Sequence, residues 1–513
     1  MQTISTIFDI IQSAFSYNED ATLIFTQFSF WIFFAVLLCG YSLVYNRQSI
    51  AKSAYLLLFS LFFYYKASGF YFVLLIFVTL TDYSIAHLLY ISERNRVRKL
   101  WVALSVCINI GLLAYFKYAV FLAQIVNQVF HTSFEVVNIF SEALNQFSGS
   151  EKFDVSQLIL PVGISFYTFQ VLSHTIDVYR RKIAPVRNII DFGFYVSFFP
   201  QLVAGPIVRA SEFIPQIYKK YHLSQQEFWQ AVFLIMNGLV KKIVISDYIA
   251  LHFVDRIFDD PTLYSGFELL TGAYGYAIQI YCDFSGYTDV AIGVALLLGF
   301  RLPLNFNSPY KSHSISNFWR RWHISLSTWL RDYLYISLGG NRKGKRRTYL
   351  NLLITMLLGG LWHGASYKFI IWGGLHGVAL AVERWWRETV LSQHPRLRIP
   401  RIIGVFLTFH FICLSWIFFR ANDMSSALLF IERIFSHFDI NIIPDIIVAY
   451  RAIFGIMAAA YILHFLPAQW KSWYKQCFTN IPIAFKIIAI IVLVFFMYQM
   501  SSTETQPFIY FQF

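Results

Sequence analysis

The sequence predicts an all-α protein threaded repeatedly through a membrane, and three observations predict it. Hydrophobic residues fill 57% of the 513 positions and charged residues only 13%, with a mean hydropathy of +0.54. A soluble globule could not keep that much apolar surface out of water. Apolar runs near the length that crosses the hydrocarbon recur along the chain, separated by short clusters of Lys and Arg. Phe 54, Tyr 32 and Trp 13 exceed a soluble composition, as expected where amphipathic rings line two membrane interfaces. Backbone polar groups in lipid must be satisfied within the protein, which leaves helices for such runs. By run length the chain holds about eleven to thirteen membrane segments, some short or re-entrant.

The first spans are expected at roughly 23–45, 53–65 with its flanks, 69–91 and 100–122. Arg47 and Lys52 separate the first two, and Arg94, Arg96, Arg98 and Lys99 follow the third. The loop around 131–155 instead carries Glu135, Glu142, Glu151 and Asp154 against Lys152. Arg180, Arg181, Lys182 and Arg187 end the next span. This alternation predicts cytoplasmic loops at 46–52, 92–99 and 179–188, with 131–155 and the N-terminus outside. From about 158 to 390 the pattern is interrupted by Pro161-Val162-Gly163, Pro200, Ala204-Gly205-Pro206, Lys241-Lys242, Asp283, Asp289, Pro303 and Pro309. Broken backbone at membrane depth is tolerated only against protein or a water-filled cavity, so this region is expected to surround one. Plain spans return near 401–420, 450–467 and 483–500. The organisation expected is N-terminal helices at 1–156, a core at 157–390 and C-terminal helices with an aromatic tail at 391–513, all one integral membrane domain.

Several function classes are disfavoured. The net charge of +13 sits in short clusters between apolar spans, which fits cytoplasmic loops and anionic lipid headgroups rather than nucleic acid. The cysteines at 39, 107, 282, 413 and 477 show no CxxC or paired spacing, so neither a disulfide framework nor a metal site is expected. The segment Met1 to Asp20 lacks a basic n-region and a small-residue cleavage site, and the first span is expected to direct insertion. A GxSxG elbow and a P-loop are both missing, which counts against a serine hydrolase and a nucleotide-driven pump.

The chemistry concentrates in 317–377, where two Trp-His pairs lie in apolar surroundings: Trp322-His323 and Trp362-His363. Ionisable groups inside a membrane mark function by default. His363 sits in Gly359-Gly360-Leu361-Trp362-His363-Gly364-Ala365, whose small residues allow close approach of another backbone or of a thin substrate. On a continuous helix Trp319, His323 and Ser327 would share one face. Arg320 and Arg321 would then project elsewhere, either to phosphates or merely to snorkel at the interface. Asp283 needs a partner, for which Arg320, Arg321 and Arg331 are the nearby cations; orienting an imidazole is its alternative role. Arg342 to Arg347 form a basic loop suited to anionic lipid or to the phosphates of a nucleotide-bearing donor. His313, His376 and His410 lack ligand spacing and are expected to be satisfied structurally.

The runs Phe318-Trp319-Arg320-Arg321-Trp322-His323-Ile324-Ser325-Leu326-Ser327, Trp329-Leu330-Arg331-Asp332-Tyr333, Leu338-Gly339-Gly340-Asn341-Arg342 and Gly360-Leu361-Trp362-His363-Gly364 resemble the membrane-bound O-acyltransferase (MBOAT) family. They look most like its bacterial alginate O-acetyltransferase branch. Upstream, residues 161–170, 177–180, 199–207 and 282–289 support the match, which covers roughly 158–380. The resemblance implies an MBOAT fold in which two histidines face one another across a tunnel. His363 matches the family's catalytic histidine and His323 its partner, with Trp319, Arg320, Arg321, Trp322, Ser327, Trp362 and Asp283 as the surrounding substrate-binding set. Related teichoic acid D-alanyl transfer proteins commonly place Asn before Arg-Trp-His where this chain has Arg320, a difference that favours acetyl transfer. The tail Pro507-Phe508-Ile509-Tyr510-Phe511-Gln512-Phe513 is similar to aromatic tails of envelope-acylation systems, in which the tyrosine is proposed to carry the acyl group. For Tyr510 an interfacial anchor is the alternative.

What the resemblance implies is acyl transfer, with acetyl-CoA or another acyl-CoA as donor substrate and no bound cofactor. The acceptor would be an envelope polysaccharide such as alginate or peptidoglycan, reached directly or through a periplasmic acetyltransferase partner. The protein would sit among lipids of the bacterial inner membrane as a multi-pass enzyme. Two alternatives stay open: a transporter or channel using the histidines as a relay, and a long-chain lipid or protein O-acyltransferase.

Overall fold

A computed structural model describes residues 16–18, 22–46, 49–149, 153–500 and 508. Among these residues the regular structure is helical, without strands. Six helical stretches are long and apolar enough to cross a membrane: Ile50–Ile91, Asn95–Phe130, Gln225–Asp259, Gly266–Leu297, Arg401–Arg420 and Ile483–Met500. A seventh is the pair Ile443–Ala449 and Arg451–Phe465, bent by 86°, and Phe28–Val44 is a shorter apolar helix. The two spans expected at 53–65 and 69–91 run as one apolar stretch, broken only by a turn at Gly69–Tyr71 where Gly69 takes φ +58°. Further segments of the expected set are short or irregular, because Pro, Gly and buried charge interrupt the middle of the chain.

Contacts divide the chain into two compact units. The first is built chiefly from Ser29–Val203 and Arg209–Lys219. Its loop cations do more than mark topology. Arg98 donates to the carbonyls of Leu89 (2.8 Å) and Tyr179 (2.7 Å), where the Phe72–Ile91 and Ile164–Tyr179 helices end. Lys52 donates to Ile217 O at 2.8 Å at the end of Ala210–Ile217. A cation at a helix C-terminus satisfies orphan carbonyls and meets the negative end of the dipole. Buried Asp82 is satisfied by Ser105 (2.5 Å), Asn109 (2.6 Å) and Thr175 (2.9 Å), tying three helices together.

The second unit comprises chiefly residues 220–500. Its two long helices each begin with a capping box, Ser224 with Glu227 and Ser265 with Glu268, which satisfies orphan N–H groups reciprocally. They pack backbone to backbone: a Cβ on Gly238 would lie 2.5 Å from the Gly286 carbonyl oxygen, and one on Gly293 2.7 Å from that of Ala231. Just beyond Gly238 the helix widens into a π-helical stretch, Val240–Asp247. Lys345–His363 and Tyr367–Trp385 form a second close pair. Cβ atoms on Gly360 and Gly373 would meet the carbonyl oxygens of Phe369 at 2.2 Å and Met356 at 2.3 Å. The small residues around His363 thus serve another backbone, one of the two uses expected of them.

This packing makes a test. Gly373→Val forces a branched side chain against Met356 O and is expected to destabilise by about 1–3 kcal/mol, the usual cost of overpacking. Gly374→Ala meets nothing nearer than Leu357 Cδ2 at 3.6 Å and should be neutral. Thermal unfolding midpoints of the detergent-solubilised variants check both.

Candidate functional site

His323 lies between two short helices, Ile315–Trp319 and Ile324–Trp329, as the N-cap of the second with φ +41°. The expected continuous helix through Trp319, His323 and Ser327 is therefore corrected: the chain turns at 320–323. A non-glycine residue in this region is strained, and such strain persists only where surroundings over-determine it. Here Asn305 does so, its backbone oxygen accepting from Ile324 N–H at 3.0 Å and its side-chain oxygen from Ser325 N–H at 3.2 Å. The imidazole is fully buried, with Nδ1 at 3.2 Å from Asn305 Oδ1 and its ring edge-on to Phe284 at 4.7 Å.

His363 ends the Lys345–His363 helix and is 4% exposed. Its ring packs edge-on against Trp372 (5.1 Å) and Phe419 (5.2 Å). Gly364 gives the chain room to leave, since a Cβ there would lie 2.1 Å from the Phe369 ring. Trp362 joins the two histidines: its ring centroid is 5.0 Å from that of His363 and 6.0 Å from that of His323. The structure thus brings His323, Trp362 and His363 together, with one indole touching both imidazoles.

A cavity of about 300 Å³ opens beside this cluster. Trp319, Arg320 and Ser327 of the expected set line it, with Arg331, Arg384 and Arg387 adding three more guanidinium groups. Trp319 is held by His376, to whose Nδ1 its indole N–H donates at 3.3 Å. The Ser415 hydroxyl donates to Ile412 O at 2.8 Å, so His376 Nε2–H donates to Ser415 Oγ at 3.1 Å and the buried imidazole is satisfied at both nitrogens. Trp319 also contacts Trp372 at 5.8 Å. The contact path from the cavity to His363 therefore runs through two indoles, and among the described residues the cavity wall does not include His323 or His363 themselves.

Other expected residues have different places. Arg321 points away from the cavity, donating to Asn317 Oδ1 and Asn307 O at 3.1 Å each, and so braces the loop before it. Trp322 is core, stacked on Phe318 at 5.6 Å and packed on Trp416 at 5.0 Å. Asp283 pairs with Lys242 at 2.5 Å rather than with any of the three arginines expected. The reason is the Gly238–Gly286 contact. Lys241 and Lys242 follow Gly238 by three and four residues, and Asp283 and Asp289 flank Gly286 by three on either side. Closing the glycines sets Lys242 on Asp283 and Lys241 on Asp289, the latter at 2.6 Å. Asp283 consequently orients the helix, and its neighbour Phe284 is the residue that touches His323.

Tyr510 lies outside the described residues. Two positions earlier, Phe508 is buried, 4.7 Å from Tyr287 and 5.8 Å from Phe284. Sequence reasoning missed Asn305, Trp372, Phe419, Arg384 and Arg387. Of these only Asn305 carried a signal, a polar residue in the apolar run Leu302-Pro303-Leu304-Asn305-Phe306. Among the described residues no group of His, Cys, Asp or Glu could hold a metal ion.

Residues 61–422 match the model of MBOAT, the membrane-bound O-acyltransferase family. The probable alginate O-acetylase AlgI of Pseudomonas aeruginosa is 43% identical over 345 residues, 67% of this chain and 62% of that protein. This chain thus spans a little under two thirds of that relative's length. A peptidoglycan O-acetyltransferase of Helicobacter pylori is 37% identical over 431 residues, covering 79% of this chain and 78% of that one. A teichoic acid D-alanyltransferase of Bacillus subtilis is 29% identical over 285 residues, 52% of this chain and 70% of its own length.

The buried pair predicts an asymmetry. Lys242→Met leaves Asp283 without its main counter-charge, and breaking such a pair costs about 3–5 kcal/mol. Lys242 also holds Asp247 at 2.8 Å, so Lys242→Met with Asp283→Leu and Asp247→Leu removes all three charges and should regain most of that loss. Unfolding midpoints of the single and triple variants measure it.

Proposed function

Since this chain belongs to the membrane-bound O-acyltransferase family, we propose that it takes an acetyl group from acetyl-CoA at the cytoplasmic face of a bacterial inner membrane and delivers it for O-acetylation of a cell-envelope polysaccharide. The observation that carries this reading is the buried His323–Trp362–His363 cluster beside a cavity lined by Arg320, Arg331, Arg384 and Arg387. Guanidinium groups bind phosphates bidentately, and an acyl-CoA is a thioester on a phosphate-rich handle. The basic loop Arg342 to Arg347 raises the local concentration of such an anion. The names of the Pseudomonas and Helicobacter relatives support acetyl as the group and a polysaccharide as the acceptor.

In the proposed reaction His363 takes the proton of the attacking hydroxyl as its oxygen bonds to the thioester carbonyl carbon. The C–S bond then breaks, and the departing thiolate receives the proton. His323 stabilises the charge that develops on the carbonyl oxygen or positions the group. A placed base contributes about 10²–10⁴ in rate, and holding both reactants in one cleft contributes the orientation. Tyr510 is proposed as the first acceptor, its phenol activated by a neighbouring imidazole, so that a tyrosyl ester hands the acetyl group to an extracytoplasmic acetyltransferase partner or to the polymer. The burial of Phe508 against Phe284, itself on His323, supports this reading, since Tyr510 follows two positions later in the sequence.

The test uses purified protein with labelled acetyl-CoA. Label is expected on protein or acceptor, and His363→Ala should lose about 10²–10⁴ of that rate while remaining folded. Arg320→Ala and Arg387→Ala should each raise the KM for the donor about tenfold or more, the worth of a charge-assisted contact, with kcat little changed. Unchanged thioester alongside measurable solute flux would overturn the enzyme reading in favour of a transporter. Faster turnover of palmitoyl-CoA than of acetyl-CoA would overturn the acetyl assignment.

A further inference from the structure

Asn305 is 1% exposed and stands where the loop after the Gly266–Leu297 helix passes the break at His323. Three groups converge on its side-chain oxygen: Ser325 N–H at 3.2 Å, Ser325 Oγ at 2.9 Å and His323 Nδ1 at 3.2 Å. The backbone N–H identifies the atom as the carbonyl oxygen, which only accepts. Ser325 Oγ itself accepts from Ile207 N–H at 3.0 Å, so its single hydrogen is directed to Asn305. A nitrogen lone pair cannot face an acceptor-only oxygen at hydrogen-bond distance, so His323 Nδ1 carries a proton. In a neutral imidazole the lone pair is then on Nε2.

We propose that Asn305 is a positioning residue that fixes His323 as the Nδ1–H tautomer and leaves Nε2 as an accepting nitrogen, which fits the positioning role proposed for His323 and not the stabilisation of a developing negative charge. His376 offers a contrast within the same core. Its Nδ1 accepts from Trp319 and its Nε2–H donates to Ser415, the opposite tautomer. The fold thus specifies tautomers histidine by histidine through the partner on one nitrogen. At His323 the same residue also holds the left-handed turn, through Asn305 O and Ile324 N–H. Ring orientation and proton placement are therefore one device. The catalytic half of this inference rests on the role proposed for His323; the tautomer does not.

The experiment uses the full chain in lipid nanodiscs with 15N-labelled histidine, and His323→Gln identifies the His323 resonances by subtraction. The wild type is expected to show a protonated Nδ1 and an unprotonated Nε2. Asn305→Leu should give a mixture of tautomers and lower kcat by about 10–100-fold with the donor KM unchanged, as for loss of an orienting partner. Asn305→Asp keeps an accepting oxygen in place and should restore the Nδ1–H form and most of the turnover. The wild-type spectrum decides the assignment even where Asn305→Leu fails to fold. A proton on Nε2 in the wild type, or an unaltered tautomer in folded Asn305→Leu, would overturn the proposal. Full turnover in His323→Gln would instead overturn the catalytic role of His323 and leave the tautomer signature standing, so the two failures are distinguishable.

Discussion

The buried charge pair between Lys242 and Asp283 sets the register on which the candidate site depends. Side chains that are 9% and 3% exposed tolerate full charges only when paired, Lys242 with both Asp283 and Asp247, and the contact with Asp283 exists because Gly238 and Gly286 let two long helices touch backbone to backbone. Once Asp283 is fixed, its neighbours on the Gly266–Leu297 helix are fixed too. Phe284 lies against His323, Tyr281 against Phe306 and His464, and Tyr287 against Phe508. One interhelical pair thus places a wall of the imidazole cluster and the aromatic rings against which Phe508 packs.

Around that wall the second unit separates two environments. The imidazoles of His323 and His363 sit among Phe284, Trp362, Trp372 and Phe419, where water is excluded and developing charge would be felt strongly. The guanidinium groups of Arg320, Arg331, Arg384 and Arg387 surround the cavity on the other side of Trp319 and Trp372. A substrate with a charged handle and a small neutral reacting group matches this division. In the proposed reaction its handle would keep ionic partners while only the acyl end entered the aromatic region.

Much of this was legible in the sequence where the signal is local. Apolar run length indicated the long apolar helices, Pro and Gly marked the irregular middle, and the Trp-His pairs with Arg320 and Ser327 fall in the imidazole cluster and the cavity wall. What could not be read depends on contacts distant along the chain. The break at His323 falls in Ile315 to Asp332, which contains neither Gly nor Pro; a hydrogen-bonded clamp from Asn305 imposes it. The partner of Asp283 is 41 residues away, chosen by a glycine contact rather than by proximity in sequence. Arg384 and Arg387 reach the cavity only because the tight Lys345–His363 and Tyr367–Trp385 pair returns the chain beside its start.

In the proposed reaction a phosphate-bearing thioester enters through the arginine-lined cavity and reacts at the indole-linked imidazoles. Cryo-electron microscopy of the protein in nanodiscs with a non-hydrolysable acetyl-CoA thioether measures it most directly. Phosphate density is expected on Arg320, Arg331, Arg384 and Arg387 and the acyl end within reach of His363, with Trp319 or Trp372 displaced to admit it. Density for the analogue on another face of the second unit, with Trp319, Trp372 and His363 unmoved and the cavity holding only solvent, would contradict it.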